Sequence, residues 1–63
     1  MSYANLTDAN LGGAHLNGAK MDGAKLNGAD LTRAKLIATD ITRANLSGAN
    51  LNGANLIYAD LSG

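Results

Sequence analysis

From Ala4 onward the chain repeats every five residues, and the phase never slips. The pentads read ANLTD, ANLGG, AHLNG, AKMDG, AKLNG, ADLTR, AKLIA, TDITR, ANLSG, ANLNG, ANLIY and ADLSG. Call the third residue of each i. It is Leu ten times, with Met21 and Ile41 as the exceptions. Position i−2 is Ala eleven times and Thr39 once, and i−1 is always polar.

A period of five fits neither regular element. In a helix five residues advance about 500°, a net ~140°, so the leucines would spiral around the axis and form no apolar stripe. In a flat strand i−2 and i share a face, but the next Ala lies an odd number of residues further on and faces the other way. The pattern closes only if the chain turns between i and the next i−2. Each pentad is then a short extended piece with Ala and the aliphatic inward, followed by a corner. Corners that all turn one way wind the chain into a coil, and four sides make a square one.

All twelve pentads resemble the A-(D/N)-L-x-x motif of the pentapeptide-repeat family. That resemblance implies an all-β, right-handed quadrilateral β-helix with four pentads per coil, hence three coils over residues 4–63. At a ladder spacing of about 4.8 Å the stack would stand roughly 14 Å tall. Met1, Ser2 and Tyr3 continue the frame as a partial repeat, with Met1 placed to lie over Met21 as a lid. Ends of such a stack expose unpaired backbone groups, and solenoids normally carry polar caps that are not evident in these pentads.

Seven of the eight glycines fall at i+2, the third residue of a turn that begins at i. A type II turn needs positive φ there, which Gly supplies without strain. Type II corners are therefore expected at most of Gly13, Gly18, Gly23, Gly28, Gly48, Gly53 and Gly63. A different turn is expected at Asp8, Arg33, Ala38, Arg43 and Tyr58.

A coil of twenty residues makes residues twenty apart neighbours and turns the sequence into a surface map. One face stacks Ile37 on Ile57 and Ala38 on Tyr58, all at outward positions. These four form the candidate contact surface. Another face sets Lys20 beside Asp40, a candidate ion pair, and Asp40 beside Asp60. Two aspartates fall short of the oxygen ligands calcium needs. His15, the only histidine, points outward over Lys35 with no second catalytic group converging on it. Thr39 replaces Ala at an inward position, so its hydroxyl must find a carbonyl or water.

Composition narrows the function classes. Five basic and five acidic residues cancel, so no net field steers the chain to nucleic acid. The five cations are spread over all four faces with aspartates between them, which leaves no basic stripe. There is no Cys for a disulfide or thiolate metal site. No apolar run approaches the ~20 residues of a membrane helix, so a cytoplasmic location is the default expectation. The residues contain no catalytic constellation, cofactor motif or metal-ligand cluster. They point to a non-enzymatic structural or protein-interaction module, meeting a protein partner or a copy of itself through its ends or through Ile37, Ala38, Ile57 and Tyr58.

Three other readings compete with this one. Some family members mimic duplex DNA and protect type II topoisomerases, but that resemblance wants a long acidic rod. Ice binding wants an unbroken threonine lattice, whereas Thr7, Thr32 and Thr42 lie on three faces. A fragment of a longer repeat domain, or an engineered scaffold, fits the regularity as well as an interaction module does.

Overall fold

A computed structural model describes residues 1–62. Gly63, the last expected corner glycine, lies outside the described residues. The only β-pairing among the described residues is a set of isolated parallel bridges, all with a register of twenty. Asn5 pairs with Lys25 and Lys25 with Asn45; Asn10–Asp30–Asn50, His15–Lys35–Asn55 and Lys20–Asp40–Asp60 repeat the arrangement. Residues 21–40 are thus sandwiched between the segments before and after them. The Cα extents are 23 × 21 × 16 Å.

Three backbone hydrogen bonds per pentad tie neighbouring levels. The Leu6 N–H donates to the Lys25 carbonyl at 2.7 Å, the Asp8 N–H to Asn27 at 3.0 Å, and the Lys25 N–H back to Ala4 at 2.8 Å. A fourth bond closes each corner, as in Ala9 N–H to the Leu6 carbonyl at 3.0 Å. The pentads are too short for extended strands; each side of the prism contributes one bridging residue flanked by turns.

The inward positions are those the pentad phase assigns. Met21, Ala24, Leu26, Ala29, Leu31, Ala34, Leu36 and Ile41 form the buried core. Leu6, Leu11, Leu16, Leu46, Leu51 and Leu56 pack against it but stay half-buried. The distinction is positional, since the same pentad is covered on two sides in the middle and on one at the ends. Thr39 is buried, and its hydroxyl donates to the Leu36 carbonyl at 2.8 Å. That carbonyl also accepts the Thr39 N–H at 3.3 Å, a longer corner bond than its neighbours. Among the described residues every buried side-chain polar atom has a partner.

The corners overturn one expectation. Asp8, Arg33, Ala38, Arg43 and Tyr58 all have φ between 59 and 61°, and Tyr3 matches them at 60°. The six described corner glycines have φ between 69 and 73°. Among the described residues none at i+1 has positive φ, so glycine and non-glycine corners share the type II pattern of φ signs. The reason is the ladder. The N–H of i+2 must reach the level above, as Arg33 N–H reaches Asn52 and Ala38 N–H reaches Ile57, both at 2.8 Å. A different turn at one corner would break that bond and the phase of the pentads after it. The chain therefore accepts roughly 1–2 kcal/mol of left-handed strain at each non-glycine corner. No β-branched residue stands at i+2, whereas i+1 holds Thr7, Thr32, Ile37, Thr42 and Ile57.

The polar i−1 position also has a structural task. Wherever it is Asn or Asp, its Oδ1 accepts the backbone N–H two residues on. Asn5 caps Thr7, Asn10 caps Gly12, Asp30 caps Thr32, and Asp40 caps Thr42. Asn45, Asn50, Asn55 and Asp60 do the same at 3.0–3.2 Å. These are Asx turns, which lock the approach to each corner. Lys35 cannot serve Ile37 this way, and the Ile37 N–H is taken by Asn17 Oδ1 from the adjoining level at 3.0 Å.

Residues 1–3 follow the same frame. The Ala4 N–H closes a corner on the Met1 carbonyl at 3.1 Å, and the Tyr3 N–H donates to Asp22 at 2.9 Å. The Ser2 hydroxyl donates to the Asp22 carboxylate. The Tyr3 ring lies against Gly23, in the space a Cβ on that residue would need. Met1 remains 53% exposed.

Candidate contact surface

Ile37, Ala38, Ile57 and Tyr58 occupy the i+1 and i+2 positions of two pentads in backbone register. The Ala38 N–H donates to the Ile57 carbonyl at 2.8 Å, and the Gly18 N–H donates to Ile37 at the same distance. The ladder therefore stacks Gly18, Ala38 and Tyr58 in one column, with Asn17, Ile37 and Ile57 in the next. The Ile57 N–H is held by Asn55 Oδ1 at 3.2 Å, which fixes the backbone from which Ile57 and Tyr58 project.

Exposure within the four is uneven. Ile37 is half-buried and Ala38 exposed. Ile57 is 55% and Tyr58 87% exposed. Neither Ile57 nor Tyr58 belongs to the core, and together they make the apolar part of this wall. Ala38 and Tyr58 hold φ of 60 and 61°.

On the remaining faces Asp22, Asp30, Asp40 and Asp60 are held by nearby hydroxyls and N–H groups. The Asp40 carboxylate accepts the Thr42 N–H and hydroxyl at 3.1 and 2.7 Å, while Lys20 and Asp40 are bridge partners through their backbones. Hydrogen bonds hold three carboxylates below their ordinary value of 3.8. The Ser2 hydroxyl acts on Asp22, the Thr32 hydroxyl and N–H on Asp30, and the Ser62 hydroxyl and N–H on Asp60. His15 is exposed and pairs through its backbone with Lys35. Among the described residues no three His, Cys, Asp or Glu converge to hold a metal ion, and no pocket opens. Among the described residues no helix is long and apolar enough to cross a membrane.

Two features escaped the reading of the residues. The Asx caps were signalled by Asn or Asp standing two residues before each i+1 N–H. The Tyr3–Gly23 contact was signalled by the register of twenty, which sets the only corner aromatic of the N-terminal segment over a residue without a side chain.

A chain of this kind, coiled on a fixed register with a one-residue bridge per side and an identical corner throughout, is a repeat solenoid. It belongs to the pentapeptide-repeat family: a family model of pentapeptide repeats, in eight copies, matches residues 1–36 and 29–63. It is similar to a crystal structure of the pentapeptide repeat protein Rfr23 from the cyanobacterium Cyanothece 51142. The TM-score is 0.76 at 34% sequence identity, over 95% of this chain and 42% of that one. The chain thus spans less than half the length of that relative, and the likeness implies a right-handed β-helix. A comparison with curated proteins finds no match. Proteins of this family are generally structural modules without catalytic activity.

Proposed function

We propose that the chain is a non-enzymatic protein-interaction module. It is a short rigid right-handed quadrilateral β-helix of three coils, with twelve pentads over residues 4–63 and residues 1–3 as a partial repeat. Its contacts run through the Ile37/Ala38/Ile57/Tyr58 wall or through the ends of the stack. The observation that carries this reading is the pair Ile57 and Tyr58, adjacent in the chain and both largely exposed, whereas the other exposed large apolar side chains, Met1, Tyr3 and Leu61, belong to the N-terminal partial repeat and the last pentad. Ordinary surfaces scatter single apolar residues; adjacent ones in a fixed column make a patch. A fixed backbone also lowers the ordering cost of binding.

The test is self-association, because a second copy brings the same apolar wall and a net charge of zero sets up no net repulsion. Sedimentation equilibrium should show mass rising from the 6.4 kDa monomer towards a closed dimer as concentration increases. Ile57→Ser with Tyr58→Gly should abolish the rise and leave the thermal transition within a few degrees of the parent. A wild-type chain that stays monomeric at millimolar concentration would remove this wall as a self-contact. Unfolding by the double substitution would contradict its placement outside the core.

A further inference from the structure

The two ends of the stack carry complementary edges, and a tripeptide occupies the place where they would join. Inside the molecule, Leu26 N–H donates to Asn45, Gly28 N–H to Ser47, and Asn45 N–H to Ala24. The pentads from residue 44 onward present the same donor groups. Among the described residues the N–H groups of Leu46, Gly48, Leu51 and Leu56 make no backbone bond. The N–H groups of Asn5, Asn10 and His15 at the opposite end make none either.

The register decides what fits there. If the ladder of twenty continues, Asn5 of a second copy falls under Asn45. Leu46 N–H would then meet the Asn5 carbonyl, Gly48 N–H the Thr7 carbonyl, and the incoming Asn5 N–H the Ala44 carbonyl. These are the bonds the molecule already makes one level up. The half-buried leucines of the two ends would cover one another. The contact is head-to-tail and does not close, so it would propagate as a filament.

In that same register one slot is claimed twice. Leu61 and Ser62 lie under Ile41–Arg43, where Ile41 N–H donates to Asp60 and Arg43 N–H to Ser62 at 2.9 Å. Met1, Ser2 and Tyr3 of the incoming copy lie over their own Met21–Gly23, held by the Tyr3 bond to Asp22, the Ser2 bond to the Asp22 carboxylate, and the ring on Gly23. With the ladders in phase, Met1 and Ser2 of the incoming copy fall on Leu61 and Ser62. We infer that Met1–Ser2–Tyr3 is a block against head-to-tail stacking, and that releasing it from Asp22 and Gly23 lets a second copy of this chain continue the ladder. The inference rests on the reading of the chain as an interaction module, and it concerns the ends and not the apolar wall.

The experiment uses the full chain carrying Ile57→Ser and Tyr58→Gly, so that the wall is silent. Adding Ser2→Ala and Tyr3→Pro frees the tripeptide, because proline cannot hold a φ of 60° and has no N–H for Asp22. Tyr3 is largely exposed, so the core is untouched. The expected result is a weight-average mass that grows at least fivefold with concentration, with filaments by electron microscopy. The parent without the two N-terminal changes should stay monomeric. His15→Pro then removes one edge donor that has no bond inside the molecule, a substitution sheet edges tolerate, and it should return the assembly to monomer. Circular dichroism confirms folding of each variant. A folded Ser2→Ala/Tyr3→Pro chain that stays monomeric overturns the inference without touching the wall. Growth that His15→Pro does not suppress overturns the proposed edge. Should Ser2→Ala/Tyr3→Pro unfold, Asp22→Ala, which removes the Ser2 anchor alone, must raise the association constant at least threefold, and no rise overturns the block.

Discussion

The same pentad behaves differently in the middle of the molecule and at its ends. Leu31, in ADLTR, is 1% exposed, whereas Leu11 and Leu51, which share its side of the prism, stay half-buried. Leu61, at the final inward position, is 51% exposed. Leu11, Leu31 and Leu51 hold the same pentad position, and the corners after them share a left-handed φ at Gly13, Arg33 and Gly53. Level in the stack sets the burial, so cooperativity comes from coverage by neighbouring levels and not from any one pentad.

The largest break in that comparison comes from emptying the core at matched sites. Leu31→Ala removes a side chain enclosed on all sides and should cost about 2–5 kcal/mol. Leu51→Ala opens onto solvent, leaves no closed cavity, and should cost about half as much or less. Urea denaturation of the two variants, compared at equal m-value, checks the ratio. Equal losses would mean that the end levels are covered in solution by something else.

A smaller effect sharpens the comparison at the corners. Ala38, in the middle, and Tyr58, at the end, hold the same left-handed φ. Gly18 holds it too, and a Cβ added there would meet nothing within 4 Å. Gly18→Ala should therefore cost only the backbone strain, about 1 kcal/mol, and Ala38→Gly should recover a similar amount. The thermal midpoint reads both. A loss from Ala38→Gly would mean that its corner is not strained.

These corners mark where reading the residues fell short. The core was legible because inward and outward positions follow from a period of five, and no local preference competes with it. Thr39 was legible as an inward hydroxyl that needed a carbonyl, and Leu36 supplies one. The corner type at Asp8, Arg33, Ala38, Arg43 and Tyr58 was not, because the preference of one residue was weighed against a turn taken alone. Three ladder bonds per pentad and the phase of every later pentad outweigh that preference. The absence of β-branched residues at i+2 was the visible trace of it. The Ile37/Ala38/Ile57/Tyr58 wall was legible as a position but not as a role, since exposure alone does not identify what a surface meets.

The smallest expected effect asks whether the contrast between middle and ends is one of packing alone. Asp30 lies in the middle level, Asp60 in the last, and Asp22 holds the N-terminal tripeptide. All three are held below 3.8 by hydrogen bonds donated to the carboxylate. A lowered folded value means that the ionised form is favoured in the native state. The associated stability is therefore present above 3.8 and is lost as pH falls through the lower folded values. Asp30 and Asp60 are exposed and Asp22 is partly so, so each loss is small and screened by salt. Asp→Asn at any of these sites keeps an oxygen acceptor and removes the titration. Thermal midpoints between pH 6 and pH 2.5 should thus fall slightly more for wild type than for each variant. Asp30→Asn and Asp60→Asn should differ little from each other, because both carboxylates make the same Asx turn with water on the outer side. A clearly larger pH effect at Asp30 would give the middle level an electrostatic advantage as well, and packing alone would no longer account for the difference between the two regions.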